Sequence, residues 1–242
     1  MRTSNPVMKP FEAAGSFSGQ SAMTLNGTIS KTALSLAILF LGGFWSWRVI
    51  PTGAAGMWMI FAVIGTLILA LITCFKPQAA PITTPLYAGL EGLLLGTISS
   101  FYDARYPGIC MQALTLTAMT AGTMLAVYRF GWIKPTEKFR SFVVIATFSI
   151  FAIYIIDFIL GFFGKGVPLS TSSGTFGIIF SLVVVGIAAL NLILDFGRIE
   201  EGVQRGAPKY MEWYGAFALM VTLIWLYLEM LRLLAKLQSR RN

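Results

Sequence analysis

Phe176-Gly-Ile-Ile-Phe-Ser-Leu-Val-Val-Val-Gly-Ile-Ala-Ala-Leu-Asn-Leu-Ile-Leu-Asp195-Phe196 is a stretch of 21 residues whose single charge, Asp195, stands next to its end. An α-helix needs about 20 predominantly apolar residues to cross a bilayer. Polar and apolar residues do not alternate through the stretch. This argues against a β-barrel, whose segments are shorter and polar on one face. Six further runs share the character: Thr32–Ile50, Ala54–Phe75, Ile82–Phe101, Ile109–Tyr128, Ser141–Phe163 and Trp213–Leu234. The sequence therefore reads as an all-α polytopic membrane protein with seven transmembrane helices.

Composition agrees. The chain of 242 residues is 56% hydrophobic and 12% charged, with a mean hydropathy of +0.75. A soluble domain of this size needs far more charge on its surface. Residues 1–31 are polar, rich in Asn, Ser, Gly and Thr, with no short apolar core ahead of a small-residue cleavage site. They are expected to form a disordered cytoplasmic tail. Residues 32–236 are read as the membrane domain and 237–242 as a basic C-terminal tail.

Orientation follows from Lys and Arg in alternate loops. With the N-terminus inside, the inner segments hold 11 of them, from Arg2, Lys9 and Lys31 through Lys76 and the Arg129–Arg140 loop to Arg198, Arg205 and Lys209. The outer loops hold only Arg48, Arg105 and Lys165. Seven crossings would leave Arg232, Lys236, Arg240 and Arg241 outside, against the same rule, so the side on which the chain ends stays open. The net charge of +8 sits at helix ends, where anionic lipid headgroups account for it and nucleic acid is not expected.

The chain has no histidine, which removes Ser-His and Cys-His catalysis, zinc sites of the HExxH type and histidine pH switches. Cys74 and Cys110 fall at opposite ends of their helices, too far apart for a disulfide, and two lone cysteines make no metal site. Gly92 and Gly96 form a GxxxG match, which in a chain with 24 Gly does not by itself assign a contact.

The chemistry is left to four carboxylates inside the apolar runs: Glu91, Asp157, Asp195 and Glu229. An acid at the centre of a membrane helix costs roughly 2.5–3.5 kcal/mol on insertion scales, so it faces a protein interior or a wet cavity. Counting along the helices puts Glu91 and Asp195 roughly 13 Å from the inner helix ends, and Asp157 and Glu229 roughly 25 Å. Two layers are expected, an inner Glu91/Asp195 and an outer Asp157/Glu229. Asn191, four residues before Asp195, shares its helical face and could add an amide oxygen or donor. Paired carboxylates share a proton when acid and offer hard oxygens to a calcium ion when ionised. The competing reading is local neutralisation: Arg198 follows Asp195 by one turn, and Arg232 follows Glu229. For Glu91, with no basic residue within two turns, it is a neutral packing role. The last run carries a stripe at Thr222, Trp225, Glu229, Arg232 and Lys236, spaced by three and four, which marks one helical face. Trp225 is too deep for the interfacial belt and reads as an interior residue.

Four segments resemble the Bax inhibitor-1 family, in its bacterial branch. They are Tyr87-Ala-Gly-Leu-Glu91-Gly-Leu-Leu-Leu-Gly-Thr-Ile98, Asn191-Leu-Ile-Leu-Asp195-Phe-Gly-Arg-Ile199, Ala207-Pro-Lys-Tyr-Met-Glu-Trp-Tyr214 and Leu226-Tyr-Leu-Glu-Met-Leu-Arg-Leu-Leu234. The likeness covers about Lys31 to Lys236. It implies a seven-helix bundle with the last helix central, in a bacterial inner membrane with the N-terminus cytoplasmic. It also implies a pH-dependent calcium leak sensed by an acid on each of the last two helices. Asp195 matches the first acid. The second falls on Glu229 in one register and on Thr222 in the other, and in the latter the usual pair is absent and Glu91 is the alternative partner. A latch arginine of some relatives has only Lys76 in its region, a point charge without a bidentate fork.

The leading expectation is a cation leak path, with calcium passing transiently and protons controlling it, and with no resident cofactor. The alternative implied by the resemblance is a non-conducting regulator that binds a membrane-anchored quality-control protease. An enzyme is not expected: the acids lack the Gly-x-Gly-Asp pairing of intramembrane aspartyl proteases.

Overall fold

A computed structural model describes residues 22–49, 55–162 and 174–241. Among them are seven α-helices: α1 Leu25–Val49, α2 Ala55–Phe75, α3 Ala80–Arg105, α4 Ile109–Arg129, α5 Glu137–Phe162, α6 Thr175–Gln204 and α7 Met211–Arg241. A single 3-10 turn, Pro77–Ala79, joins α2 to α3. All but α3 are long and apolar enough to cross a membrane. α3 has the length, 26 residues or roughly 39 Å at 1.5 Å per residue. Its hydropathy is lowered by Thr83, Thr84, Glu91, Thr97, Ser99 and Ser100, most of them buried, so its polar groups are covered by protein.

Two boundaries differ from expectation. The first helix starts at Leu25, not Thr32, and residues 22–31 are ordered. Thr24 caps it, its Oγ1 accepting from Gly27 N at 3.0 Å. Met23 N donates to Ala207 O at 2.7 Å, and Ala22 pairs with Pro208. The remainder of the expected tail, residues 1–21, lies outside the described residues. At the other end, residues 237–241 continue α7 rather than forming a tail.

The chain divides into two compact units, and the division falls inside α3, α6 and α7. The first holds the described residues up to Phe101 together with Gly197–Val221. In it α1 and α3 pack backbone to backbone. A Cβ on Gly92 would meet the Leu39 carbonyl, one on Gly96 would meet Gly43 O and Ser46 Oγ, and one on Gly42 would lie 2.9 Å from Gly89 O. The GxxxG match is therefore a real helix contact, of the close kind that small residues permit. Thr73 donates to Thr83 at 2.7 Å across α2 and α3, and Tyr87 stands edge-on to Phe217 with ring centres 5.1 Å apart. The turn from α6 into α7 closes with Gly206 at φ +66. Gly206 N bonds Val203 O, and Ala207 N bonds Gly202 O. This is the Schellman ending, whose left-handed residue favours glycine.

The second unit holds Tyr102–Phe196 and the described part of Thr222–Asn242. Its apolar centre is Ile150 of α5 with Val184 and Ile187 of α6, covered by Tyr154, Phe180, Leu190 and Trp225. α6 and α7 are the most buried of the six apolar helices, with 56% and 50% of their apolar windows covered against 11–22% for the others. The large exposed side chains of α1, α2, α4 and α5 (Phe44, Phe61, Met119 and Phe148 among them) suit a lipid-facing surface.

Gly92→Ala and Gly96→Ala should each lower the thermal unfolding temperature in detergent, since overpacking costs about 1–3 kcal/mol. Gly122→Ala, where a Cβ meets nothing within 4 Å, should leave it level or raise it. Equal behaviour of the three variants would show that the α1–α3 approach contributes nothing.

Candidate functional site

The stripe read on the last helix is realised, each of its side chains meeting a partner or packing in the second unit. Thr222 Oγ1 donates to Asp195 Oδ2 at 2.6 Å, tying α7 to α6, and both residues are buried. One turn on, Trp225 packs on the apolar centre. At the next turn Glu229, 1% exposed, accepts on Oε1 from Tyr154 Oη at 2.8 Å and from Arg232 Nη1 at 2.7 Å. Its Oε2 is buried without a hydrogen-bond partner. The Arg232 guanidinium lies over the Tyr154 ring, 4.8 Å from its centre. Last in the row, Lys236 is buried and donates to Gly177 O at 3.0 Å and Ser181 Oγ at 2.9 Å, near the start of α6.

The other candidates fall as follows. Asn191 is half-buried, and its Nδ2 donates to Thr147 Oγ1 of α5 at 2.8 Å and back to Ile187 O at 2.9 Å. The donor expected to serve Asp195 thus ties α6 to α5, because Thr147 lies within reach of the same amide. Asp157 is half-buried on α5, close beyond Tyr154. Arg198 is half-buried one turn past Asp195 on α6. Lys76 is exposed beside the 3-10 turn and has no ion pair among the described residues.

Glu91 belongs to the first unit. It is 7% exposed on α3, within hydrogen-bonding reach of the hydroxyls of Tyr87, one turn earlier, and Thr66 of α2. Glu91 and Asp195 are therefore each bonded by hydroxyl groups of their own unit.

Sequence reading passed over a heavily bonded acid, Glu212. Its fully buried carboxylate pairs with Lys31 and, at 2.7 Å, with Lys209, and accepts from Thr24 N at 2.9 Å and Thr24 Oγ1 at 3.0 Å. Lys31 also lies 5.7 Å from the centre of the Trp213 ring. A Cβ on Gly27 would overlap the Glu212 carboxylate, so the first turn of α1 closes directly over it. The available signal was Lys209 three residues before Glu212. Tyr154, Thr147 and Ser181 were missed because a lone hydroxyl in an apolar run carries no periodic signature.

Among the described residues no three of His, Cys, Asp and Glu come together in a way that could hold a metal ion. The Asp195 carboxylate and the Thr222 hydroxyl both offer oxygens at this position, and a cation there would need further oxygens such as carbonyls and water to complete its shell.

A family model described as Bax inhibitor 1 like matches residues 5–239, and the chain belongs to that family. No curated protein matches it.

Arg232→Met should destabilise the protein more than Glu229→Gln, because it leaves a buried carboxylate with Tyr154 alone. Combining the two should recover part of the loss. The coupling is expected at about 1 kcal/mol, reduced by the partial exposure of the arginine. Unfolding temperatures of the two single variants and the double variant decide this, and strict additivity would assign the pair no energy.

Proposed function

We propose that this member of the Bax inhibitor 1 like family is a pH-sensitive cation leak protein, with calcium as the cargo and Asp195 as the group whose protonation controls passage. The observation that carries the reading is the buried Asp195 carboxylate, bonded at 2.6 Å by a neutral hydroxyl from the last helix. Ionised, Asp195 presents negative charge and hard oxygens in an apolar setting, which attracts a divalent cation. Protonated, it presents neither, and the attraction is gone. Thr222 keeps the carboxylate oriented in both states, since a hydroxyl can donate to the anion and accept from the acid.

A single carboxylate makes a weak site. That suits passage, in which an ion must leave as readily as it enters. With Thr222 where an acid pair would otherwise form, the last helix adds no second carboxyl at this contact. The Lys and Arg distribution supports a cytoplasmic N-terminus, and the resemblance to the bacterial branch of the family supports placing it in an inner membrane.

The sign of the pH dependence follows. Calcium flux into dye-loaded liposomes should be low in acid and rise as Asp195 ionises. Asp195→Asn, permanently neutral, should hold flux at the acidic level at every pH. Thr222→Asp should place two carboxylates within hydrogen-bonding range and spread the profile over two titration steps. No flux above empty liposomes at any pH, with folded protein verified, would overturn the leak reading in favour of a non-conducting regulator of a membrane-anchored protease.

A further inference from the structure

We propose that Glu91 is a resident proton-binding site, a neutral carboxylic acid whose own O–H bonds α3 to α2. The inference goes beyond the leak reading and does not rest on it.

A count of hydrogen-bond protons in the first unit carries it. Glu91, Tyr87 and Thr66 are all buried, each at most 7% exposed. The carboxyl lies within hydrogen-bonding reach of both hydroxyls. A hydroxyl has one proton to give and two lone pairs to receive with. The Thr66 proton is committed: Oγ1 donates to Val63 O at 3.1 Å, the back-bond a threonine makes to the preceding turn of its helix. Toward Glu91, Thr66 is then an acceptor, and the proton between them belongs to the carboxyl. Tyr87 has its phenol proton for the other carboxyl oxygen. Every proton finds an acceptor in a chain from Tyr87 through Glu91 and Thr66 to the Val63 carbonyl. An ionised Glu91 would break that chain at Thr66, whose proton would have to leave Val63.

Charge agrees with the count. No basic side chain pairs with Glu91 among the described residues. The carboxyl sits 11 residues past Ala80, the first residue of α3, or roughly 16 Å along the helix. A charge without a cation is costly at that depth. The titratable groups on this side are Tyr87 of the same helix and, near Tyr87, Cys74 of α2, neither of which supplies positive charge. α1 meets α3 through Leu39, Gly42 and Gly43, and α7 meets it through Phe217 and the Trp213 carbonyl. Holding an acid neutral makes it a hydrogen-bond donor, which a carboxylate cannot be. The donor has a use here. Three described side chains of α2 are buried, Ala62, Thr66 and Thr73. Thr73 bonds Thr83 of α3, so the Glu91 proton makes the second of two polar ties between these helices.

The test is infrared spectroscopy of the full chain in liposomes, from neutral to alkaline pH, on wild type, Glu91→Gln, Thr66→Val and Asp195→Asn. Wild type and Asp195→Asn at neutral pH should show the C=O stretch of a protonated buried carboxyl, and Glu91→Gln should lose that intensity. Thr66→Val should keep the band but shift it, because the O–H has lost its acceptor. Glu91→Gln, whose amide can donate to Thr66 and accept from Tyr87, should fold at neutral pH. Its unfolding temperature in detergent should hold as pH rises, where that of wild type falls as the proton leaves the folded state. An unchanged band in Glu91→Gln, or a Glu91→Gln that fails to fold or declines with pH as wild type does, would overturn the proposal. An unmoved band in Thr66→Val would overturn the bond to α2.

Discussion

A carboxylate cannot stand bare among apolar helices, and the way each one is satisfied dictates how these helices meet. Burial removes the water that would solvate the charge, so a hydroxyl or a cation must come from a neighbouring element. Within the first unit, Glu212 draws Lys31, Lys209 and Thr24 onto one buried point and so fixes where α1 begins. Glu91 does the same with Tyr87 and Thr66. In the second unit, Asp195 ties α6 to α7 through Thr222, and Glu229 ties α7 to α5 through Tyr154. Apolar packing is non-directional and would allow these helices to slide or rotate. The polar bonds pick one register, at the cost of burying groups that lipid would not tolerate.

What could be read in the sequence follows the same division. Apolar runs longer than about 18 residues have one physical meaning in a chain this apolar, so the seven helices were legible. So was the stripe from Thr222 to Lys236, because a spacing of three and four projects onto one face whatever surrounds it. The start of α1 was not. Gly27, Thr28, Ser30 and Lys31 read as a tail; Thr24 caps the helix locally, and the carboxylate that holds Thr24 in place lies 188 positions away. Asn191 shows the opposite error. Its local neighbour Asp195 was the obvious partner by spacing, but Thr147, 44 positions away, takes the amide proton. Local spacing places a side chain on a face, and tertiary contact decides what that face touches.

The register of the last helix shows how structure settles what a motif leaves open. The sequence placed either Glu229 or Thr222 opposite Asp195. The side chain that meets Asp195 is Thr222, and Glu229, two turns on, is already engaged by Tyr154 and Arg232. A hydroxyl in that position has a chemical consequence. Two acids within hydrogen-bonding range would share one proton and hold each other in a mixed state over a wide pH range. An acid facing a hydroxyl has one ionisation and no like-charged neighbour from its partner, so its two states differ by a full charge.

Charge order along α7 would constrain any ion route along its polar face. Beyond Trp225 the row reads Glu229 and Arg232, which offset one another, and then Lys236, whose ammonium is bonded to two neutral acceptors. A cation that continued along the same face would leave the negative charge of Asp195 and come up against an uncompensated positive one. Coulomb repulsion in a poorly solvated interior is several times stronger than in water. Under the proposed leak reading, a route would leave the stripe near Glu229, where the unpartnered Oε2 is a buried acceptor, or the Arg232 contact would open so that Glu229 faced the ion. In either case Glu229 would, on that reading, exchange its structural role for a ligand's role, and the arginine that balances it at rest would set how readily that exchange occurred.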